Sequence, residues 1–240
     1  MSLLTVCAGL VLTNCTGKPR EAGLKVSYGT NGIQRLTYNG VVLEDLARYP
    51  SDAFHIWHMK AKDANGKFPA DKQYSWGELN NGRTWNAATH TWLYSFKWGS
   101  ISVQFVHKGD VLDMVVTEKN NADSGVTFSG ATIYPFVLHF PELPSGFGDP
   151  SYQHLAVEAN DPPPTADFGK GQVSVVTSDR SSVYRGFEPA GGGANYYPVI
   201  SSAIMDSIGP GIAKVDRPIN PGMTDSFTVS LNFAESEPRE

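Results

Sequence analysis

Between Thr89 and Asn120 the chain keeps a period of two. Trp92, Tyr94, Phe96 and Trp98 share one parity, Gly99 turns, Ile101, Val103 and Phe105 follow, and Lys108-Gly109-Asp110 turns again into a strand-like run ending at Asn120. This period puts one set of side chains on one face of a strand, and no helix reproduces it. The stretch predicts adjacent antiparallel strands. The chain closes in the same way, with Phe227, Val229, Leu231 and Phe233 alternating with Ser226, Thr228, Ser230 and Asn232. Near the start, "LKVSYGTNGIQRLTYNGVVLEDL" carries Asn31-Gly32 and Asn39-Gly40, the strongest short-range hairpin signal, and predicts a three-strand meander. No segment holds a period of 3.6, and no internal repeat is apparent. The 24 Gly and 16 Pro suit many tight turns, and β-sandwiches reach 240 residues as one unit. The reading is one all-β domain over 24–233, a signal-like segment over 1–23 and a charged tail over 234–240.

The histidines give a sharper test. In Asp52 to Lys60, Phe54, Ile56 and His58 fall on one parity and His55, Trp57 and Met59 on the other, with Pro50 upstream and no helix-start signal. On a strand, His55 and His58 are therefore expected to diverge rather than hold one metal ion. His90, His107, His139 and His154 are scattered singly. No metal and no cofactor is expected. Both cysteines, Cys7 and Cys15, lie within "LLTVCAGLVLTNCTG", which reads as the tail of a secretory signal. Leu12-Thr13-Asn14-Cys15 resembles a lipoprotein box, with Asn14 where a small residue is usual. The expectation is an extracytoplasmic protein, secreted or periplasmic, with Cys15 as the residue a lipid anchor would use. The rival reading of this segment is a first strand. A net charge of -5 and a pI near 5.7 offer no basic surface for nucleic acid, and no apolar run reaches the length of a membrane-spanning helix.

Catalytic signatures are sparse. Glu44, Asp45, Glu78, Asp149, Glu158, Asp161 and Asp167 are carboxylates in turn-rich stretches, and a glycosidase needs two of them across a sugar, but spacing along the chain pairs none. A Gly-x-Ser-x-Gly nucleophile motif is missing, and Gly191-Gly192-Gly193 lacks the Lys-Ser/Thr of a phosphate loop. The strongest binding signal is the polar connection at 61–88. There Tyr74, Trp76 and Trp85 are interleaved with Glu78, Asn80, Asn81 and Arg83. Aromatic faces beside amide, acid and guanidinium groups suit a sugar ring. The alternative is that Trp76 and Trp85 pin this connection over one end of the sandwich. Trp92 and Trp98, among alternating apolar partners, read as core.

The succession from Trp92 to Pro141 resembles the galactose mutarotase-like supersandwich, a large two-sheet antiparallel fold. It has a Trp-Gly corner at Trp98-Gly99, a Gly-Asp hairpin at Gly109-Asp110, a strand ending in Asn120 and another ending in Phe140-Pro141. Pro221-Gly222 before the last strand is similar to the close of such domains. In particular the chain resembles the N-terminal domain of bacterial proteins related to glycoside hydrolases. The resemblance implies a carbohydrate partner and a neighbouring catalytic domain if the chain is a fragment. It also implies an epimerase constellation that is absent as a motif. There is no Asn-His dipeptide, no histidine follows His154, and Glu235 and Glu237 lie beyond the final strand. The expected function is an exported, non-catalytic module that binds carbohydrate or supports a carbohydrate-active domain, with a sugar-active enzyme of divergent site as the alternative.

Overall fold

The computed structural model describes residues 23–49, 55–63, 82–96, 99–122, 126–145, 147, 154–156, 160–179, 183–202 and 217–236. Among them are no helix and the strands β1 (Leu24–Gly29), β2 (Gly32–Tyr38), β3 (Val41–Asp45), β4 (His55–Asp63), β5 (Arg83–Asn86), β6 (Thr91–Phe96), β7 (Gly99–Lys108) and β8 (Val111–Asn120). The second half supplies β9 (Val126–Tyr134), β10 (Leu138–His139), β11 (His154–Ala156), β12 (Thr165–Asp167), β13 (Gln172–Thr177), β14 (Tyr184–Pro189), β15 (Asn195–Ser201) and β16 (Thr224–Ala234). They form a β1-β2-β3 meander, a sheet ordered β11-β14-β15-β9-β4 with β10 also on β15, and a sheet ordered β12-β13-β16-β8-β7-β6-β5. Every ladder is antiparallel. The fold is an all-β sandwich, as the alternation predicts.

The alternating parity becomes the core. Ile101, Val103 and Phe105 of β7 are buried with Leu112, Met114 and Val116 of β8, opposite Phe128, Ile133 and Ile200 of the other large sheet. Rings bridge the two layers at Phe96–Phe128 and Phe105–Phe136, both with centroids 6.1 Å apart. The meander is tied on through its turns. The Asn39-Gly40 turn has φ of 47° and 78°, the paired positive values of a type I′ turn. The Asn39 side chain accepts from Gly23 N–H and donates to the Lys170 carbonyl, while Leu24 N–H donates to Asp110. The other hairpin turns one residue earlier than Asn31-Gly32 suggests. Gly29 pairs with Gly32, and Gly32 sits at φ 110° against the Trp92 indole, where a Cβ has no room.

Register shifts in the β1–β2, β2–β3 and β4–β9 ladders reset the alternation. In β3, Leu36 pairs with Glu44 and Thr37 with Val42, so Leu43 is the extra residue and Glu44 is sunk on the inner face. In β4, Ile56 pairs with Ile133 and His58 with Thr132, so Trp57 is the extra residue. The backbone register sets His55 opposite Tyr134 and His58 opposite Thr132, and the directions of their side chains, expected to diverge, lie outside the described residues.

One carboxyl interrupts the apolar series of β8. Glu118 is fully buried, and both its oxygens lie within 2.7–2.8 Å of Ser202 Oγ, which also accepts from Ala131 N–H. It spans the two large sheets. Burial, with the Asp225 charge adding to it, pushes its pKa from 4.5 up to about 8 against the pull of Ser202, Arg217 and the Ala131 backbone. Beside it, Arg217 forks onto both Asp225 and Asp179 with contacts of 2.8–3.2 Å, its guanidinium 4.8 Å from the Phe227 ring centroid.

Candidate functional site

Strand β9 differs from β7 and β8. In β8 buried and partly exposed residues alternate, whereas positions 130 to 138 are buried on both parities. A layer therefore packs on the side of this sheet that faces away from the sandwich interior. Strand β15 shows what that layer contains. Tyr196 and Ile200 point into the core, so Asn195, Tyr197, Val199 and Ser201 lie on the outer face. Paired residues of an antiparallel ladder share a face. Glu188 of β14 pairs with Tyr197, Thr132 of β9 with Ser201, and His139 of β10 with Asn195.

The side chains meet as this register requires. The Tyr134 hydroxyl donates to the Glu188 carboxylate, and the Tyr134 and Tyr197 rings lie 4.6 Å apart. Thr132 Oγ1 and Ser201 Oγ are 2.8 Å apart. Burial and the adjacent Glu188 charge hold the Tyr134 phenol well above its ordinary range, so it remains a donor. His139 Nδ1 is 2.8 Å from Asn195 Oδ1. An amide oxygen only accepts, so Nδ1 is the donor in this contact. On its face His139 carries Tyr49, stacked at 3.9 Å, with the Arg48 guanidinium 5.1 Å from the Tyr49 ring centroid. Tyr49 is delivered by the turn after β3, where Arg48 and Tyr49 N–H both donate to the Asp45 carbonyl.

Of these groups His139, Tyr49 and Arg48 border a cleft of about 520 Å³ between β3 and β10, which Arg35, Glu44 and Asp45 also line. Glu188 and His139 flank β15 on opposite sides. Strand spacing near 4.8 Å and a rise near 3.3 Å per residue separate their backbones by roughly 10–12 Å. That distance is too long for a direct proton relay.

Of the binding residues expected from the sequence, only Arg83 and Trp85 are described. Tyr74, Trp76, Glu78, Asn80 and Asn81 lie outside the described residues, as do Cys7, Cys15 and Trp98. Arg83 and Trp85 are described, on β5. They pair with Tyr94 and Trp92 and so face the interior. Trp85 donates its indole N–H to the Gly29 carbonyl at 2.8 Å and packs beside Trp92 and Phe105, and Arg83 sits 5.5 Å over the Trp92 ring. This packing supports the pinning role for Trp85. Trp85→Phe keeps a ring but loses the hydrogen bond, and an unfolding titration should show a loss of about 1–2 kcal/mol. Trp92 is core, as expected. The outer face of β15 was missed because its members come from four strands. The one signal was the charge-free run Gly130 to Leu138, which marks a strand covered on both sides.

No family model matches the chain, and no curated protein sequence does either. Solved structures do. A polysaccharide lyase superposes with a TM-score of 0.54 at 13% identity over 90% of this chain, which spans 33% of that chain. A putative aldose 1-epimerase from Escherichia coli K12 gives 0.52 at 12% identity, covering 90% of this chain and 97% of that one. A galactose mutarotase related enzyme from Lactobacillus acidophilus gives 0.55 at 14% identity, with the same coverages of 90% and 97%. The fold is galactose mutarotase-like. In this mutarotase-like sandwich the polar outer layer of Tyr134, Glu188, Tyr197, Asn195 and His139 is built on the sheet that carries β9 and β15.

Proposed function

We propose that the chain is a carbohydrate-binding module whose site is the outer face of β15 and the cleft beside it. The observation that carries this is the juxtaposition, from four strands, of a tyrosine-held carboxylate, two tyrosine rings, an amide and an oriented imidazole on one sheet face. A sugar offers C–H faces to rings and hydroxyls to carboxylate, amide and imidazole, and this layer supplies both kinds of partner. Its likeness to sugar-related folds supports the same reading. We place the module outside the cytoplasm on the apolar N-terminal segment alone. A neighbouring catalytic domain belongs to this proposal too, since the lyase it resembles is a much longer chain.

The rival is an enzyme acting on sugars, favoured by the near-complete coverage of two structures titled as an epimerase and a mutarotase relative. A glycan-array screen followed by reducing-sugar and anomer-interconversion assays on the hits separates the two. Binding without turnover is expected. In titrations with an array hit, Glu188→Gln and Tyr197→Ala should each weaken affinity about tenfold, equivalent to roughly 1.4 kcal/mol, with thermal melting run alongside. Unchanged affinity per folded molecule in both variants would remove this face from consideration.

A further inference from the structure

The meander has two faces, and the outer one continues the cleft. Lys25 pairs with Thr37 and Ser27 with Arg35 across β1 and β2, while Thr37 pairs with Val42 and Arg35 with Asp45 across β2 and β3. These residues therefore share the side turned away from Leu36 and Tyr38, which are core. A second hollow of about 290 Å³ lies on this face, lined by Lys25, Ser27, Arg35, Thr37 and Val42. Arg35 and Val42 also line the 520 Å³ cleft that holds Tyr49 and His139, so the two hollows adjoin along a shared wall.

We infer that these adjoining hollows form one trough for an acidic polysaccharide, a glycan chain bearing carboxylates, running from Tyr49 over Arg35 to Lys25. This rests on the sugar-binding reading above and names its ligand class. Charge decides the class. Lys25, Arg35 and Arg48 are all exposed, and the Arg35 side chain is 53% accessible. The acidic groups lining the trough are withdrawn: Glu44 is 1% exposed, and Asp45 is 25% accessible and placed 3.7 Å from Arg35. The solvent-facing charge along the trough is thus cationic on a protein whose net charge is -5. A neutral glycan accepts hydrogen bonds from these cations, whereas an acidic one also meets their charge. A carboxylate accepts from a guanidinium fork in two parallel hydrogen bonds, and an ammonium supplies a point charge. Lys25 and Arg35 occupy diagonal positions on adjacent strands, roughly 7–8 Å apart, on the scale of successive residues of a polysaccharide. On β3, across β2 from Lys25, Val42, 38% exposed, gives an apolar floor for a sugar face.

The test is calorimetric titration of the full chain with a uronic-acid oligosaccharide and with the same oligosaccharide after its carboxyls have been reduced to alcohols. Wild type, Lys25→Gln/Arg35→Gln and Glu188→Gln are compared, with thermal melts to confirm folding. The acidic form should bind wild type at least tenfold more tightly than the reduced form, and this advantage should shrink as salt rises, because exposed charges are screened. Lys25→Gln/Arg35→Gln should erase the advantage, so that the acidic and reduced forms bind the variant alike. Equal binding of both forms, or an advantage that survives in Lys25→Gln/Arg35→Gln, overturns the trough while a loss in Glu188→Gln keeps the sugar site. Binding of neither form overturns both.

Discussion

Glu118→Gln should make the protein more stable, and the gain should grow with pH. The carboxyl of Glu118 is buried between the large sheets, and its pKa stands at about 8 instead of 4.5. Well below pH 4.5 the folded and unfolded chains both hold the proton, and the substitution changes little. Between 4.5 and about 8 the unfolded chain releases the proton while the folded protein keeps it, so wild type loses up to about 1.4 kcal/mol for each pH unit. Above that window both states have ionised and the loss levels off. Glutamine keeps the shape and a partner for Ser202 without this slope. At pH 7 the variant should gain up to about 3 kcal/mol, which in a chain of this size raises Tm by roughly 6–10 °C. Denaturant titrations at several pH values from 5 to 9 read this directly. Parallel curves for the two proteins would mean that Glu118 is already ionised where it sits.

Arg217→Ala is expected to do the opposite. Arg217 holds Asp179, just past the end of β13, and Asp225 on β16 with four short contacts, and its side chain is only 10% accessible. Its removal leaves two aspartates facing each other. A fully buried broken pair costs about 3–5 kcal/mol, and partial exposure of the aspartates brings the figure to roughly 2–3 kcal/mol. Arg217→Lys should recover less than half of that, since an ammonium cannot fork onto two carboxylates. The two predictions are coupled. Arg217 also restrains the rise of the Glu118 pKa, so Arg217→Ala should extend the loss of stability to higher pH, past the wild-type window, and adding Glu118→Gln should abolish that extension. A melting temperature for Arg217→Ala within a degree or two of wild type would show the network to be inert.

What could be read from the sequence follows the range of the forces involved. The meander, the β7–β8 hairpin and the last strand were legible because alternation and turn residues act over a few positions. The bulges at Leu43 and Trp57 were not legible, because an extra residue is set by the partner strand, and a count along one strand assumes there is none. The site was harder still. Tyr134, His139, Glu188 and Tyr197 span more than sixty positions and meet only through the β10–β15–β14 and β15–β9 ladders. The aromatic cluster that attracted notice, around Trp85, is compact in sequence because β5 and β6 are neighbours, and its described rings serve packing.

The two-sided burial of β9 bears on how such a protein diverges. Along β7 and β8 only one parity is enclosed, so half the positions are open to neutral replacement and the rest need only stay apolar. In the middle of β9 neither parity is open: Ile133 must fit the sandwich interior while Thr132 and Tyr134 must fit the layer outside it. Drift is then uneven across the molecule, fast on the rim sheets and slow at one central strand.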